Sequence, residues 1–312
     1  MPIDNFGRNL YYLRLSITDK CQMTCTYCRN RNEPFIKEDR FLNFDQISRI
    51  IDIFKDIGTK KMRITGGEPF YRNDVVQIIE MIHEKKLTVS VTTNGILLKQ
   101  RLKNANSFPY SINVSLDTLK PLTFEKITGI KRSTLDVIID SIHFSKESGV
   151  PTKINTVLIK ENQDEMNELI DFASFLKLPI RFIEYMSNGT KENQVHFREK
   201  RDEIISKRQL MPIEESFGDG PAKYFKGKDE IVGFISYSED HFCDTCNRLR
   251  ITSDGKLRLC LVLGIEMNLK KMLEEEKNDE IIKEKIIEFV KLKPFNHGNI
   301  SIIGKYMNRI GG

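Results

Sequence analysis

All six cysteines of this 312-residue chain fall into two triplets. The first, in "CQMTCTYC", is Cys21, Cys25 and Cys28; the second, in "CDTCNRLRITSDGKLRLC", is Cys243, Cys246 and Cys260. Core packing explains single cysteines, but not three in eight residues of a polar loop. Structural zinc normally takes four ligands. Nothing near the first triplet in sequence supplies a fourth, whereas His241 stands two residues before Cys243 and offers a Cys3His set there. A [4Fe–4S] cluster takes one thiolate per iron, so three cysteines leave one iron open to a substrate or cofactor. An open position of that kind separates catalytic from structural metal sites. Spacing alone leaves zinc and iron–sulfur chemistry both open.

Two further stretches carry chemistry. "TGGEP", Thr65 to Pro69, follows a strand-like run. Its glycines let backbone approach a ligand closely, and the Glu68 carboxylate suits an ammonium group; the plain alternative is a Gly-Gly turn. Arg248 and Arg250 lie between the second-triplet cysteines, two apart on a predicted strand and so on one face. Facing solvent they need no explanation. Facing a pocket they repel each other unless an anion joins them, and guanidinium groups bind phosphate bidentately.

The elements that must position these residues follow from periodicity. Strands are predicted at 10–17, 60–65, 88–93, 111–117, 152–158 and 180–186. Helices are predicted at 44–58, 74–86, 97–106, 134–148 and 164–177. Asn43 caps the first of these helices and Gly58 stops it. Alternating strands and helices favour a parallel sheet with right-handed crossovers. Six such units give an α/β fold, an incomplete (β/α)6 TIM-type barrel spanning residues 1–190. Residues 191–312 form a small α+β C-terminal extension that carries the second triplet. It contains a helix near 195–209, a strand in "DEIVGFISYS", a hairpin turning at Asp254-Gly255, and helices after about 268.

Composition excludes several classes. There are 49 Lys and Arg against 44 Asp and Glu, a net charge of +5. That is no broad basic face, so nucleic-acid binding is not expected. No apolar run reaches the ~18 residues that span a bilayer, and the N-terminus lacks the apolar core of a secretory signal. A cytoplasmic location is expected, where cysteines serve as ligands rather than disulfides.

CxxxCxxC after the first strand of such a barrel, with Tyr27 before the third cysteine and TGGEP after the second strand, resembles the radical S-adenosylmethionine (SAM) superfamily. The resemblance narrows to the GTP 3′,8-cyclase family over essentially the whole chain. It rests on "LRLSITDKCQMTCTYC", "MRITGGEP", "VTTNG", "INVSLD", "RFIEYM", "FCDTCNRLRITSDGKLRLC" and the terminal "GG". "CRNRNEP" departs from the family by lacking the Met-Pro that often follows the third cysteine.

The resemblance implies two [4Fe–4S] clusters, at Cys21, Cys25 and Cys28 and at Cys243, Cys246 and Cys260, with SAM as cofactor. It implies SAM contacts from Tyr27, Gly67, Glu68, Ser115 and Met186. GTP contacts are implied for Arg14, Arg63, Thr92, Lys153, Arg181, Arg248 and Arg250, and a tail, Gly311 and Gly312, that reaches the active site. No catalytic side chain beyond the cluster and the SAM-derived radical is implied. The implied reaction is a lyase step of molybdenum cofactor biosynthesis. A 5′-deoxyadenosyl radical takes hydrogen from ribose C3′ of GTP, the C3′ radical attacks guanine C8, and an electron and a proton complete (8S)-3′,8-cyclo-7,8-dihydroguanosine 5′-triphosphate. Implied partners are a low-potential electron donor and a downstream cyclic pyranopterin monophosphate synthase, with the chain itself a monomer or homodimer. The alternatives are a radical SAM enzyme with an auxiliary cluster acting on a peptide, and a non-catalytic iron–sulfur or zinc module.

Overall fold

The computed structural model describes residues 2–28, 34–105, 108–186, 193–238, 242–296 and 307–310. Strands β1 (Tyr12–Ser16), β2 (Lys61–Thr65), β3 (Thr88–Thr93), β4 (Ser111–Ser115), β5 (Thr152–Leu158) and β6 (Ile180–Glu184) pair in chain order, all parallel. Between them run α1 (Phe44–Asp56), α2 (Val75–Glu84), α3 (Leu98–Leu102), α4 (Pro121–Thr128), α5 (Thr134–Glu147) and α6 (Met166–Phe175). Each predicted strand and helix of this region is present, most of them shortened at the ends. After α7 (Phe197–Lys207) come β7 (Met211–Ile213), β8 (Lys223–Lys226), β9 (Ile231–Ile235), β10 (Arg248–Ile251), β11 (Lys256–Arg258) and β12 (Glu266–Asn268). The helices α8 (Leu269–Glu275), α9 (Asp279–Val290) and α10 (Met307–Ile310) follow.

All twelve strands belong to one mixed sheet, in the order β12-β11-β10-β1-β2-β3-β4-β5-β6-β9-β8-β7. β9 joins β6, and β10 joins β1, both parallel. Periodicity marked β9 and β10 as strands, but it carries no information about pairing partners 50 or more residues away. The hairpin at Asp254-Gly255 joins β10 and β11 antiparallel, with Gly255 in the left-handed region at φ +76°. Among the described residues no helix is long and apolar enough to cross a membrane.

Alternation along the strands divides the sheet into two faces. Leu13, Leu15, Met62, Ile64, Val89, Val91, Ile112 and Val114 are fully buried in the main apolar core, with Ile50, Ile51 and Phe54 of α1 and Ile78, Ile79 and Ile82 of α2. Each such side chain contributes roughly 1.5–3 kcal/mol. α1 starts on a capping box between Asn43 and Gln46, which fixes where the loop after the first cysteines re-enters the fold. The opposite face is polar: Tyr12, Arg14, Ser16; Lys61, Arg63, Thr65; Thr92; Asn113, Ser115; Lys153, Asn155; Arg181; Arg248, Arg250. These register positions align across neighbouring strands, as in Arg250↔Arg14↔Arg63 and Arg248↔Tyr12↔Lys61. A one-residue slip would bury those charges in the core, so the apolar face fixes the polar one.

The helical spacing used above did not predict α4, which opens on Pro121 and stops at Gly129, φ +71°. Its last carbonyls would otherwise lack partners. They accept from the cysteine loop: Thr24 N–H donates to Thr128 O at 2.8 Å and Thr26 N–H to Ile127 O at 3.0 Å.

Candidate active site

Two adjoining cavities of about 220 Å³ each open on the polar face. Cys21, Cys25 and Cys28 line one; Cys243, Cys246 and Cys260 line the other. Thr92, Asn155, Ile183, Glu184, Met186 and Met307 line both and so form a shared wall.

In the first cavity the cysteine loop is held from several sides. Beyond the α4 carbonyls, Cys28 N–H donates to Cys25 O at 3.0 Å, and Met307 N–H of α10 donates to Cys28 O at 3.2 Å. Asn94 Nδ2 lies 3.6 Å from the Cys21 sulfur. Gly66 and Gly67 lie under the loop. A Cβ on Gly66 would meet Thr18 O at 2.3 Å, and one on Gly67 would meet Lys20 O at 2.3 Å and Asp19 O at 2.5 Å. Thr65, Gly66, Gly67, Ser115, Tyr27 and Met186 line the cavity. Glu68 is different. It is fully buried and does not line the cavity; one carboxylate oxygen accepts from Thr93 Oγ1 at 2.7 Å and Phe70 N–H at 3.0 Å, the other from Asn94 N–H at 2.7 Å. Its side chain thus positions two residues that do line the cavity.

Asp117 and Glu184 line this first cavity and, among the described residues, no Lys or Arg does, which makes it acidic. Burial raises the Glu68 carboxyl to about 7 and Asp117 to about 6, against the hydrogen bonds each accepts. Tyr27 O–H donates to Asp117 Oδ2 at 2.5 Å, and burial with this carboxylate pushes its phenol well up. Burial, then Glu68, hold the Cys21 thiol up at about 12; burial, then Cys28 and Asp117, hold Cys25 well above the ordinary thiol value. These thiols stay protonated until a metal displaces the protons.

The second cavity has the opposite sign. Arg14, Arg63, Arg181, Arg248, Arg250 and Lys293 line it, with Thr92. Burial opposes ionisation of Cys246, but Lys293, the Arg248 N–H, Arg248 and Arg250 bring its thiol below the ordinary value. Burial and Arg248 lower Arg250 to about 10. A polar ladder orients the arginines. Arg63 reaches Thr92 Oγ1 at 3.4 Å; Arg181 donates to Asn155 Oδ1 at 2.8 Å and to Asn113 Oδ1 at 2.7 Å. Gly233 leaves room for Arg181, whose Cγ a Cβ there would approach to 2.9 Å. Lys153 is buried beside this group but does not line the cavity. Burial, with Arg181, Arg63 and Lys61, lowers its ammonium to about 8. The Nε atoms of Arg63 and Arg248 are buried without a partner among the described residues.

Residues that motif reading did not single out complete the site. Lys293 donates to Arg248 O at 3.1 Å and to Leu259 O, tying α9's exit to the cysteine hairpin. Asn155, Asn113, Asn94 and Asp117 are neutral or acidic residues within or just after strands that look like ordinary sheet polarity. Asn155 carried a signal, being two residues after Lys153 on the same face, as did Asn113, two residues before Ser115. Gly311, Gly312 and His241 lie outside the described residues.

The residues present fit an iron–sulfur cluster in each cavity. Among the described residues, no three Cys, His, Asp or Glu groups converge on a point that one metal ion would occupy. The three thiols of each triplet line one cavity, which one-thiolate-per-iron ligation needs.

Comparison with known proteins agrees with this architecture. The family model of the Radical SAM superfamily matches residues 15–173, and that of Molybdenum Cofactor Synthesis C matches 178–299. The chain is 36% identical to GTP 3′,8-cyclase of Clostridium perfringens (strain 13 / Type A), covering 99% of both chains. It is 36% identical to mouse molybdenum cofactor biosynthesis protein 1, covering 98% of this chain and 50% of that protein. The solved structure of Streptococcus suis SuiB bound to S-adenosylmethionine shares the fold at TM-score 0.67 and 19% identity, over 91% of this chain and 68% of that one. With full-length identity of this order to a curated relative, and both family models placed along its length, the chain belongs to the GTP 3′,8-cyclase family of the Radical SAM superfamily.

Proposed function

We propose that this chain converts GTP to (8S)-3′,8-cyclo-7,8-dihydroguanosine 5′-triphosphate, with SAM as co-substrate. The observation that carries the reading is the meeting of two cysteine-lined cavities of opposite character at one wall. The acidic one suits the sulfonium and ammonium of SAM. The cationic one suits a triphosphate, although the chain's net charge is only +5. Cys21, Cys25 and Cys28 would hold a cluster, which would supply the one-electron chemistry for cleaving SAM ahead of hydrogen transfer from ribose C3′.

The chain's own residues bind, orient and exclude water. The backbone of Gly66 and Gly67 supports the cofactor loop, while Glu68 fixes Thr93 and Asn94. Tyr27, Ser115 and Met186 flank SAM. Arg14, Arg63, Thr92, Arg181, Arg248 and Arg250 surround GTP, and Lys153 adds charge behind them. Cys243, Cys246 and Cys260 would hold a second cluster at the guanine end. Residues 1–190 then act as an incomplete (β/α)6 barrel and 191–312 as the extension bearing that cluster. The docking of α10 supports a Gly311-Gly312 tail that enters the site: Asn308 Nδ2 donates to Asp19 O at 3.0 Å and Arg309 lies 3.5 Å from the Asp19 carboxylate. A low-potential reductant and a cyclic pyranopterin monophosphate synthase would act before and after.

The test is an anaerobic assay of cluster-loaded protein with reductant, SAM and GTP. It should yield 5′-deoxyadenosine and the cyclised nucleotide together. Deoxyadenosine without a GTP-derived product refutes the cyclase reading. Arg248→Ala should weaken GTP binding by about tenfold or more, the cost of a charge-assisted contact, with SAM affinity unchanged.

Lys153 adds a pH signature. Its ammonium titrates at about 8 in the free protein, and an anion beside it favours the protonated form. GTP affinity is therefore highest below that value and is lost as the pH rises through it. About tenfold weaker binding is expected at pH 9 than at pH 7, and Lys153→Arg should flatten the profile because guanidinium does not titrate there. A flat profile in the unmodified protein would show that Lys153 does not sense the nucleotide.

A further inference from the structure

Tyr12 is the one aromatic residue on the polar face of β1, and the reading above gives it no role. It is 2% exposed, it lines the second cavity, and its hydroxyl has no hydrogen-bond partner among the described residues. A buried tyrosine ordinarily finds a partner for its O–H, and an orphan one costs stability that phenylalanine would avoid. The ring is enclosed by cations. Lys61 Nζ lies 5.5 Å and the Arg63 guanidinium 5.8 Å from its centroid. Burial would push the phenol up, but Arg63, Arg14, Lys61 and Arg248 outweigh it and bring the group below its ordinary value. Lys61 is already paired with Asp219 at 2.5 Å, which leaves the Tyr12 hydroxyl, with the Nε atoms of Arg63 and Arg248, as the polar groups of this corner without a partner among the described residues.

Register locates the corner. Tyr12 pairs with Lys61, and Lys61 with Thr88. Thr92, at the wall shared by the two cavities, is four residues further along the same strand, about 13 Å at 3.3 Å per residue. Arg14 and Arg63 lie midway. If ribose C3′ is at the shared wall and the base is at the second cysteine triplet, the phosphate chain runs down the strands past Arg14 and Arg63. Its end then reaches Tyr12.

The geometry points to the Tyr12 hydroxyl as donor of a hydrogen bond to the terminal phosphate of the nucleotide, which makes it a selector of triphosphate over diphosphate. This rests on the reading of the cavity as a GTP site.

The experiment measures GTP, GDP and SAM binding to the full chain loaded anaerobically with its clusters, and to Tyr12→Phe, together with the melting temperature of each without nucleotide. The variant should bind GTP about tenfold or more weaker, with GDP and SAM within about twofold and the nucleotide-free melting temperature equal or higher. Unchanged GTP affinity overturns the inference, as does an equal loss for GTP and GDP. A lowered melting temperature with loss of both nucleotides also overturns it, by making Tyr12 a packing residue. If the unmodified protein binds neither nucleotide, the GTP reading itself fails, and the inference fails with it.

Discussion

Serine at Cys25 is expected to give a chain with about four fewer iron atoms and no measurable SAM cleavage, a loss of more than about a thousandfold, while GTP still binds within about threefold of normal. The oxygen of serine ionises far less readily than sulfur and is a poor ligand for iron. The loop itself should survive. Its backbone bonds to the α4 carbonyls come from Thr24 and Thr26, and the Cys25 side chain takes no part in them. The two cavities also differ in what stabilises them: the second is held by Lys293, Arg248 and the β10–β11 hairpin, on the far side of the shared wall. Cys246→Ser therefore makes the mirror-image prediction, with SAM cleavage kept and GTP binding lost. Iron and sulfide content, 5′-deoxyadenosine yield and nucleotide affinity, measured together, check both. Retained cleavage in Cys25→Ser would remove the first triplet from the chemistry. Loss of both activities in both variants would show that the cavities form one cooperative unit.

That separability was only half legible in the sequence. The ligand triplets, TGGEP and the paired arginines were readable because they are local: each is a short spacing whose chemistry needs no partner from elsewhere. So were the strands and most helices of the first 190 residues, whose apolar periods agree with their local propensities. The arrangement that gives the site its meaning was not local. β10 carries Arg248 and Arg250 to β1, beside Arg14, across more than 230 residues of chain, through a parallel pairing that no turn signal announces. The eight residues of α4 carry too little period to announce a helix, yet α4 holds the cysteine loop. Glu68 shows the converse limit. The motif implies a SAM contact for it, whereas in the fold its carboxylate turns inward to three donors, which no spacing announces. Lys293 and Tyr12 are single residues in unremarkable segments, and their burial among charges is a property of the assembled sheet alone.

The largest effect outside the cysteines is expected at Gly67. Its N–H donates to Thr18 O at 2.8 Å, and the next N–H, of Glu68, donates to Lys20 O at 2.8 Å, so residues 18–20 are laid directly on this turn before the chain reaches Cys21. The atoms that an alanine methyl would meet, Lys20 O at 2.3 Å and Asp19 O at 2.5 Å, are backbone and have no rotamer through which to yield. Relief must come from lifting the loop, which breaks both bonds and moves Cys21. Overpacking of this kind costs about 1–3 kcal/mol, and each lost backbone bond adds about 1 kcal/mol. Gly67→Ala should therefore lower stability by about 3 kcal/mol, reduce iron at the first site, and cut SAM cleavage by at least about a hundredfold. Gly264→Ala is the control, since nothing lies within 4 Å of a Cβ there, and it should be neutral. Urea unfolding of both variants, with iron content and 5′-deoxyadenosine yield, decides the matter. If Gly67→Ala matched the unmodified protein in all three, the glycine would be a turn residue only, and the close approach of the two loops would have no part in holding the cofactor.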